Sequence, residues 1–440
     1  MKTMKNILKC KLVYLFILTL AATNVRAESE VSKLIKKSVA LPDKVEVYMN
    51  NYNSDLTIHT DEKGQARLET MVIVEGETSQ DTKTFLDAVD DIEFKLEGNK
   101  LKIDTKFWES SYTVSLVNSK TTIKLKNGEK VKVSNYKLSH TLYLPKSSSL
   151  NLFDKYSKTT IDDLDGEMHL NIYNGKTEVG AIAKNTSVQL KYTQAKFTTM
   201  QDAIFDLYDS DVVLKEAGNM SATSKYSTLK ADKAGDVKIN SYDDKFYFTK
   251  GKSFIITAKY SYFNLPSGLS KLEFSSYDSN LTAGDAESVL YSGKYSELTL
   301  GKVGDMKLSS TYNDKFSIAE LGSFECAEEK YTSFEIGNLK KMFKCNGYDT
   351  KVTVKNVDPS FENIYYNGKY GDLNFTMGNN SKYRLSVDCK YAKVVYPGTM
   401  EFTHKIIEGN NTMMKGSING ITDSDKGLVE LFGYDNKLKL

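Results

Sequence analysis

Few residues in this 440-residue chain have types and spacings that could do chemistry. The four histidines, His59, His140, His169 and His404, are scattered, and no two stand at metal-ligand spacing. Cys326 and Cys345 form the sharpest pair, because Phe324-x-Cys326 and Phe343-x-Cys345 repeat one phrase in neighbouring units. In a stacked sheet their sulfurs would face each other, as two buried thiols or, in the minority reading, as a disulfide. Cys389 follows Leu385 and Val387 on one face and reads as core. Asp162-Asp163-Leu164-Asp165-Gly166-Glu167 and Asp423-Ser424-Asp425 concentrate carboxylates at turns that calcium could use. The glycine-aspartate nonapeptides of calcium-loaded β-rolls are missing, so these acids are expected to be solvated, and no metal or cofactor is assigned.

The informative residue is tyrosine, present 28 times. It returns at Tyr156, Tyr173, Tyr192, Tyr208, Tyr226, Tyr242, Tyr260, Tyr277, Tyr295, Tyr312, Tyr331 and Tyr348, a mean step of about 17.5 residues. Tyr370 and Tyr391 continue the series at looser spacing. The context alternates between Lys-Tyr-Ser/Thr, as at Lys259-Tyr260-Ser261, and x-Tyr-Asp/Asn, as at Tyr277-Asp278. The full repeat is therefore a pair of units, about 35 residues. Each unit holds two segments of period-two alternation around a glycine-bearing turn, such as Leu298 and Leu300, Gly301-Lys302-Val303-Gly304-Asp305, then Met306 and Leu308.

These elements fit a solenoid, a membrane barrel or, less well, a sandwich. With consecutive units in register about 4.8 Å apart, Lys294 is expected beside Ser276 and Thr311, with Asp278 and Asn313 on the diagonals. That keeps like charges two rungs apart and favours the solenoid. A barrel would want long loops at one end, and the turns here look short at both. The expectation is an all-β fold, a β-solenoid of about 17–18-residue coils, with most tyrosines packed inward. Tyr247, Tyr365 and Tyr366 break the regular slots and are the candidates for an exposed, ligand-binding strip.

Lys2, Lys5, Lys9 and Lys11 precede the apolar run Leu12 to Ala22, and Val25-Arg26-Ala27 suits a signal peptidase. Export is expected, to periplasm or cell surface, with cleavage after Ala27. Cys10 sits among the lysines, badly placed for a lipid anchor. No later stretch suits a transmembrane helix. Cleavage removes four lysines and Arg26 and no acid, leaving only Arg67 and Arg384 as arginines. The net charge then turns slightly negative, which argues against nucleic acid, whose recognition leans on the guanidinium fork.

Residues 28–147 differ in texture: strands near Val45 to Met49, Ala66 to Val74 and Leu101 to Thr105, and a short helix capped by Asp81 that presents Phe85, Leu86, Val89 and Ile92. This region is expected to be a β-rich N-terminal cap with one short helix. Residues 148–398 are expected to form the solenoid and 399–440 a C-terminal cap.

The run His140-Thr141-Leu142-Tyr143-Leu144-Pro145, Leu150-Asn151-Leu152, Lys155-Tyr156-Ser157 and Lys369-Tyr370-Gly371-Asp372-Leu373 resembles the bacterial putative-adhesin family of β-strand repeats. That resemblance covers most of the mature chain and implies an exported, Bacteroidetes-type protein without an assigned activity. This chain departs from the family in carrying Ser, Thr or Asp after most tyrosines where glycine is common. The expected function is a non-enzymatic, adhesin-like binding or scaffold protein that presents a solenoid face to a glycan, an envelope polymer or a protein. The alternative is a parallel β-helix enzyme acting on polysaccharide. Such enzymes gather acids and bases in one groove, whereas lysine and aspartate are spread evenly here.

Overall fold

A computed structural model describes residues 30–114, 120–421 and 426–440; the expected signal segment 1–27 and the acids Asp423-Ser424-Asp425 lie outside the described residues. The chain is all-β, 72% strand with one described helix, and its repeat region is a β-solenoid of about 13 turns of ~18 residues. It divides into two units: residues up to Asp43 with Val47–Pro145, and Lys44–Glu46 with Lys146–Leu440.

In the first unit, Gln65–Gly76 pairs antiparallel with Val31–Ala40 on one side and with Lys130–Pro145 on the other. Asp55–Asp61 joins Lys130–Pro145 in parallel, Leu56 beside His140. The helix, α1 (Ser79–Asp90), packs on the strands Gln65–Gly76 and Lys130–Pro145 through buried Phe85 and Val89. Its cap is Thr78, where Asp81 was expected: the Thr78 side chain accepts from the Asp81 backbone N–H. Asp81 sits three residues on, takes the Thr78 hydroxyl at 2.6 Å and accepts from the Lys132 backbone N–H at 3.0 Å. A carboxylate at that place completes a reciprocal cap.

The second unit is a stack of coils, each with one strand in either of two parallel sheets. The first sheet runs from Ser149–Lys155 through Met168–Tyr173 and Thr186–Lys191 to the last turns, and the second from Lys158–Ile161 through Lys176–Ile182. Several strands, such as Gln194–Tyr208 and Lys315–Lys330, begin in the second sheet and end in the first. Alternation sends every second residue inward, so Leu152, Leu170, Val188 and Phe205 stack coil on coil, and further along Phe324 and Phe343 stack face to face at 4.8 Å. Parallel pairing of identical slots makes one continuous core, and it leaves no backbone edge open between coils.

The register differs from expectation by one residue. Lys294 pairs with Tyr277 on one side and Tyr312 on the other, not with Ser276 and Thr311. The cause lies in the turn. In Lys-Tyr coils the lysine ends the strand and the tyrosine is the turn residue; in Tyr-Asp coils the tyrosine ends the strand and Asp or Asn turns.

The C-terminal stretch also departs from expectation. Glu401–Glu408 and Asn411–Ile418 form an antiparallel hairpin on Tyr383–Lys390, as a cap would. Leu428–Tyr434, however, lies in parallel between Asn363–Lys369 and Tyr383–Lys390, and Lys437–Lys439 likewise lies between Asp372–Met377 and Lys393–Val395. The last residues of the chain are an inserted coil. The alternation explains it: Lys369-Tyr370 and Lys390-Tyr391 belong to the same class, and Tyr434-Asp435 supplies the other class between them.

Candidate functional site

At one corner of every coil the chain turns through a single residue of left-handed backbone. In alternate coils this is a tyrosine, with φ between 55° and 61° from Tyr156 to Tyr391; in the coils between, it is Asn174, Asp209, Asp243, Asp278, Asn313, Asp349 or Asp435. Asn and Asp accept this conformation readily, whereas a bulky side chain in it costs about 1–2 kcal/mol. Repeated use of tyrosine there needs a compensation, and the rings provide one.

The twelve tyrosines of the regular series, with Tyr370, Tyr434 and Tyr391, form one unbroken ladder. Neighbouring centroids lie 5.1–6.0 Å apart and the planes cross at 66–85°, each edge set against the next face. Such edge-to-face pairs contribute about 0.5–1.5 kcal/mol each beyond area burial, and an interior rung has two. The ladder was expected inside the core. It lies outside: the turn tyrosines stay 42–52% exposed, and Tyr208, Tyr242, Tyr277 and Tyr348 36–38%. Inward slots belong to the residues one step before the strand end, so the rings stand on the corner.

This arrangement separates two glycine substitutions. At the turn position Tyr260→Gly should be more stable than Tyr260→Ala, because glycine relieves the left-handed strain while both lose the rings. At Tyr277, a strand end, the order should reverse. The expected differences in melting temperature are about 2–4 °C each; the same order at both sites would refute this account of the corner.

Directly behind the rings runs a buried polar ladder. Thr193 N–H donates to Ser210 Oγ, Ser210 to Ser227, Ser227 to Asp244 Oδ1 at 2.7 Å, Asp244 to Ser261, Ser261 to Ser279, Ser279 to Ser296, and Ser296 to Asp314 Oδ1 at 2.7 Å. Each coil's turn is thereby capped by its neighbour, which satisfies backbone donors that the sheets cannot reach. Burial raises the carboxyls of Asp244 and Asp314, the latter to about 6, against the pull of these donors. Beyond Asp314 the carboxylate comes from Glu329, one slot earlier and beside Gly347. Its oxygens lie near the Thr332 and Tyr348 N–H groups but outside hydrogen-bonding geometry, and burial pushes it up to about 8.

The three tyrosines expected at the surface are not brought together. Tyr366 is buried, its hydroxyl 2.9 Å from Thr350 Oγ1, because it takes the inward slot of Asn363–Lys369 two residues after Ile364. Tyr365 is half-buried against Phe432 in the first sheet, and Tyr247 half-buried in the second sheet between Lys230 and Tyr262. Cys326 and Cys345 are register partners with free, buried thiols, and burial with the neighbouring sulfur raises Cys345 well above the usual range. Among the acids near residue 165, Asp163 accepts from the Ala181 N–H at 2.6 Å and Asp165 pairs with Lys146 at 3.3 Å. Among the described residues no three metal-capable side chains converge.

One groove of about 520 Å³ gathers acids and lysines at the other turn of the coils, lined by Asp285, Glu287, Asp305 and Glu320 with Lys302 and Lys340. Asp285 Oδ1 accepts from the Lys302 N–H at 2.8 Å, while Lys340 lies 3.9 Å from Glu320 and 3.3 Å from Asp358. Asp285 thus holds a turn, and Lys340 is shared between Glu320 and Asp358. Tyr434 and the polar ladder escaped the sequence reading, although Tyr434-Asp435 carries the phrase of its class.

No protein-family model matches the sequence, and no curated protein matches it. Among solved structures the chain is similar to a putative cell adhesion protein from Clostridium sporogenes ATCC 15579, with 10% identity over 94% of this chain and 100% of that one and a TM-score of 0.16. It is also similar to a putative lipid binding protein from Parabacteroides distasonis ATCC 8503, with 12% identity over 78% of this chain and 97% of that one and a TM-score of 0.19. At such scores neither likeness carries an argument.

Proposed function

We propose that this is an exported, non-enzymatic binding protein of adhesin type, which holds an extended polymer along its tyrosine edge. The single observation behind this reading is the unbroken, half-exposed ladder from Tyr156 to Tyr391. Exposed aromatic strips of this extent mark interaction sites, and a row of rigid rings loses little entropy on binding. The non-enzymatic part is supported by two of the groove carboxylates: Asp285 serves as a turn acceptor and Glu320 as an ion-pair partner.

Replacing Tyr226, Tyr260 and Tyr295 together with Asn removes three rings and keeps the turns, since Asn174 and Asn313 already turn in this way. The triple variant should fold with a melting temperature within a few degrees of the parent and lose retention on isolated cell envelopes. Protease shaving of intact cells places the edge outside or within the envelope. Full retention by the folded variant would end the proposal, as would polysaccharide cleavage that a single carboxylate substitution abolishes.

A further inference from the structure

We infer that the polymer is an extended β-1,4-linked glycan, seated with one disaccharide on each pair of coils; this rests on the reading of the tyrosine edge above. Every chemical feature of that edge repeats on the second coil, not the first. Lysine ends one strand, as at Lys259, and tyrosine the next, as at Tyr277; tyrosine turns one coil, as at Tyr260, and aspartate the next, as at Asp278. Neighbouring ring planes stand nearly perpendicular, Tyr260 at 83° to Tyr277 and Tyr277 at 77° to Tyr295. Strands stand about 4.8 Å apart, so the surface tile is roughly 9.6 Å long.

A β-1,4-linked chain of pyranoses with equatorial bonds inverts each sugar relative to the last. Its chemical repeat is therefore the disaccharide, in an extended ribbon of about that tile length, with C–H-rich ring faces alternating along it. An α-1,4 chain coils and a β-1,3 chain winds, and neither presents alternating ring faces in step with a tile of two coils. Each tile supplies two partly exposed tyrosine rings to lie against C–H groups, and one ammonium and one carboxylate or amide for hydroxyl or acetamido groups. Alternating carboxylates disfavour a polyphosphate backbone. A peptide adding as a strand needs an open sheet edge, and along this corner successive coils are already paired, Tyr260 N–H to Tyr277 O at 3.0 Å and Tyr295 N–H to Tyr312 O at 3.0 Å.

The test is calorimetric titration of the full chain with β-1,4 oligosaccharides of N-acetylglucosamine, glucose and mannose, two to eight sugars long, against α-1,4 and β-1,3 glucose series. Affinity is expected for at least one β-1,4 series, rising with each added disaccharide, and falling about tenfold or more in the triple Tyr226→Asn, Tyr260→Asn, Tyr295→Asn variant. Binding of no β-1,4 series, equal binding of the α-1,4 or β-1,3 chains, or affinity independent of length would overturn the inference. If the triple variant still loses envelope retention in any of those cases, the tyrosine edge keeps its role and only the glycan class falls. If retention also survives, both fall.

Discussion

Gly433→Ala should unseat the end of the solenoid. Gly433 sits in the inserted coil at φ 114°, and an added Cβ would meet the backbone oxygen of Gly368 at 1.9 Å. That oxygen belongs to the adjoining strand, held by parallel pairing from Asn363 to Lys369, and cannot step aside. A left-handed backbone and a clash with main chain combine here, which puts the cost above about 4 kcal/mol, in the range where a single substitution disrupts an element. Because the inserted coil carries Tyr383–Lys390 on its far side, hydrogen exchange should rise across 383–418 as well as 428–440. Gly420→Ala is the control: φ is 67°, nothing stands within 4 Å, and only about 1 kcal/mol of backbone strain is expected. Equal protection in the two variants would mean that the inserted coil is not what seats residues 383–418.

The second large effect is a pair of opposed pH dependences. In the solenoid unit, burial raises Glu329 from 4.5 to about 8 and Asp314 from 3.8 to about 6. The folded state holds these protons more tightly than the unfolded chain. Stability is therefore fully present below the unfolded values and is lost as pH rises towards the folded ones. For Glu329 the loss between pH 4.5 and 8 is on the order of 4 kcal/mol. In the first unit the sign reverses. His140 is buried, its Nδ1 2.8 Å from Thr70 Oγ1 and its Nε2 without a partner, and burial lowers it from 6.5 to about 4. The unfolded chain takes that proton first, so stability is intact above pH 6.5 and falls, by about 3 kcal/mol, on acidification to 4. Scanning calorimetry from pH 4 to 9 should show the solenoid transition moving down with rising pH and the other moving up. Glu329→Gln should flatten the first trend and raise the solenoid's melting temperature above pH 7. An unchanged slope in that variant would rule Glu329 out as the source.

The solenoid was legible because the period of about 17.5 residues and the two-fold alternation are written in every unit. What misled was treating the tyrosines as one column. Tyr260 and Tyr277 occupy different backbone positions, and only the ring contact at 5.6 Å brings them into line. Bulky residues avoid left-handed backbone, so nothing local announces that Tyr260 turns the chain. The repeated step from Lys-Tyr to Tyr-Asp did carry the register, had the lysine and not the tyrosine been aligned. Tyr366 follows the plain alternation from Ile364, but as half of a Tyr-Tyr doublet it looked like a break in the pattern. The inserted coil could be found only by asking why Tyr370 and Tyr391 share a class, since pattern along a chain says nothing about order in space. Glu329 gave no sign, because its slot elsewhere holds Ser241, Ala258 or Gly293.

The inserted coil also fixes an order of events. During synthesis each coil from residue 149 onward can add to the one before it as it emerges, which keeps contacts local and folding fast. This ceases at residue 377. The coil formed by 383–395 has no seat until 428–440 exist, so the last sixty-odd residues must wait and then close together, with the growing face of the stack left bare meanwhile. Under tension the same arrangement works in reverse. A pull applied after Lys439 cannot first peel off the coil formed by 383–395; it must draw out the one beneath, breaking parallel ladders on both sides at once, so this part of the stack resists traction along the strands that close it.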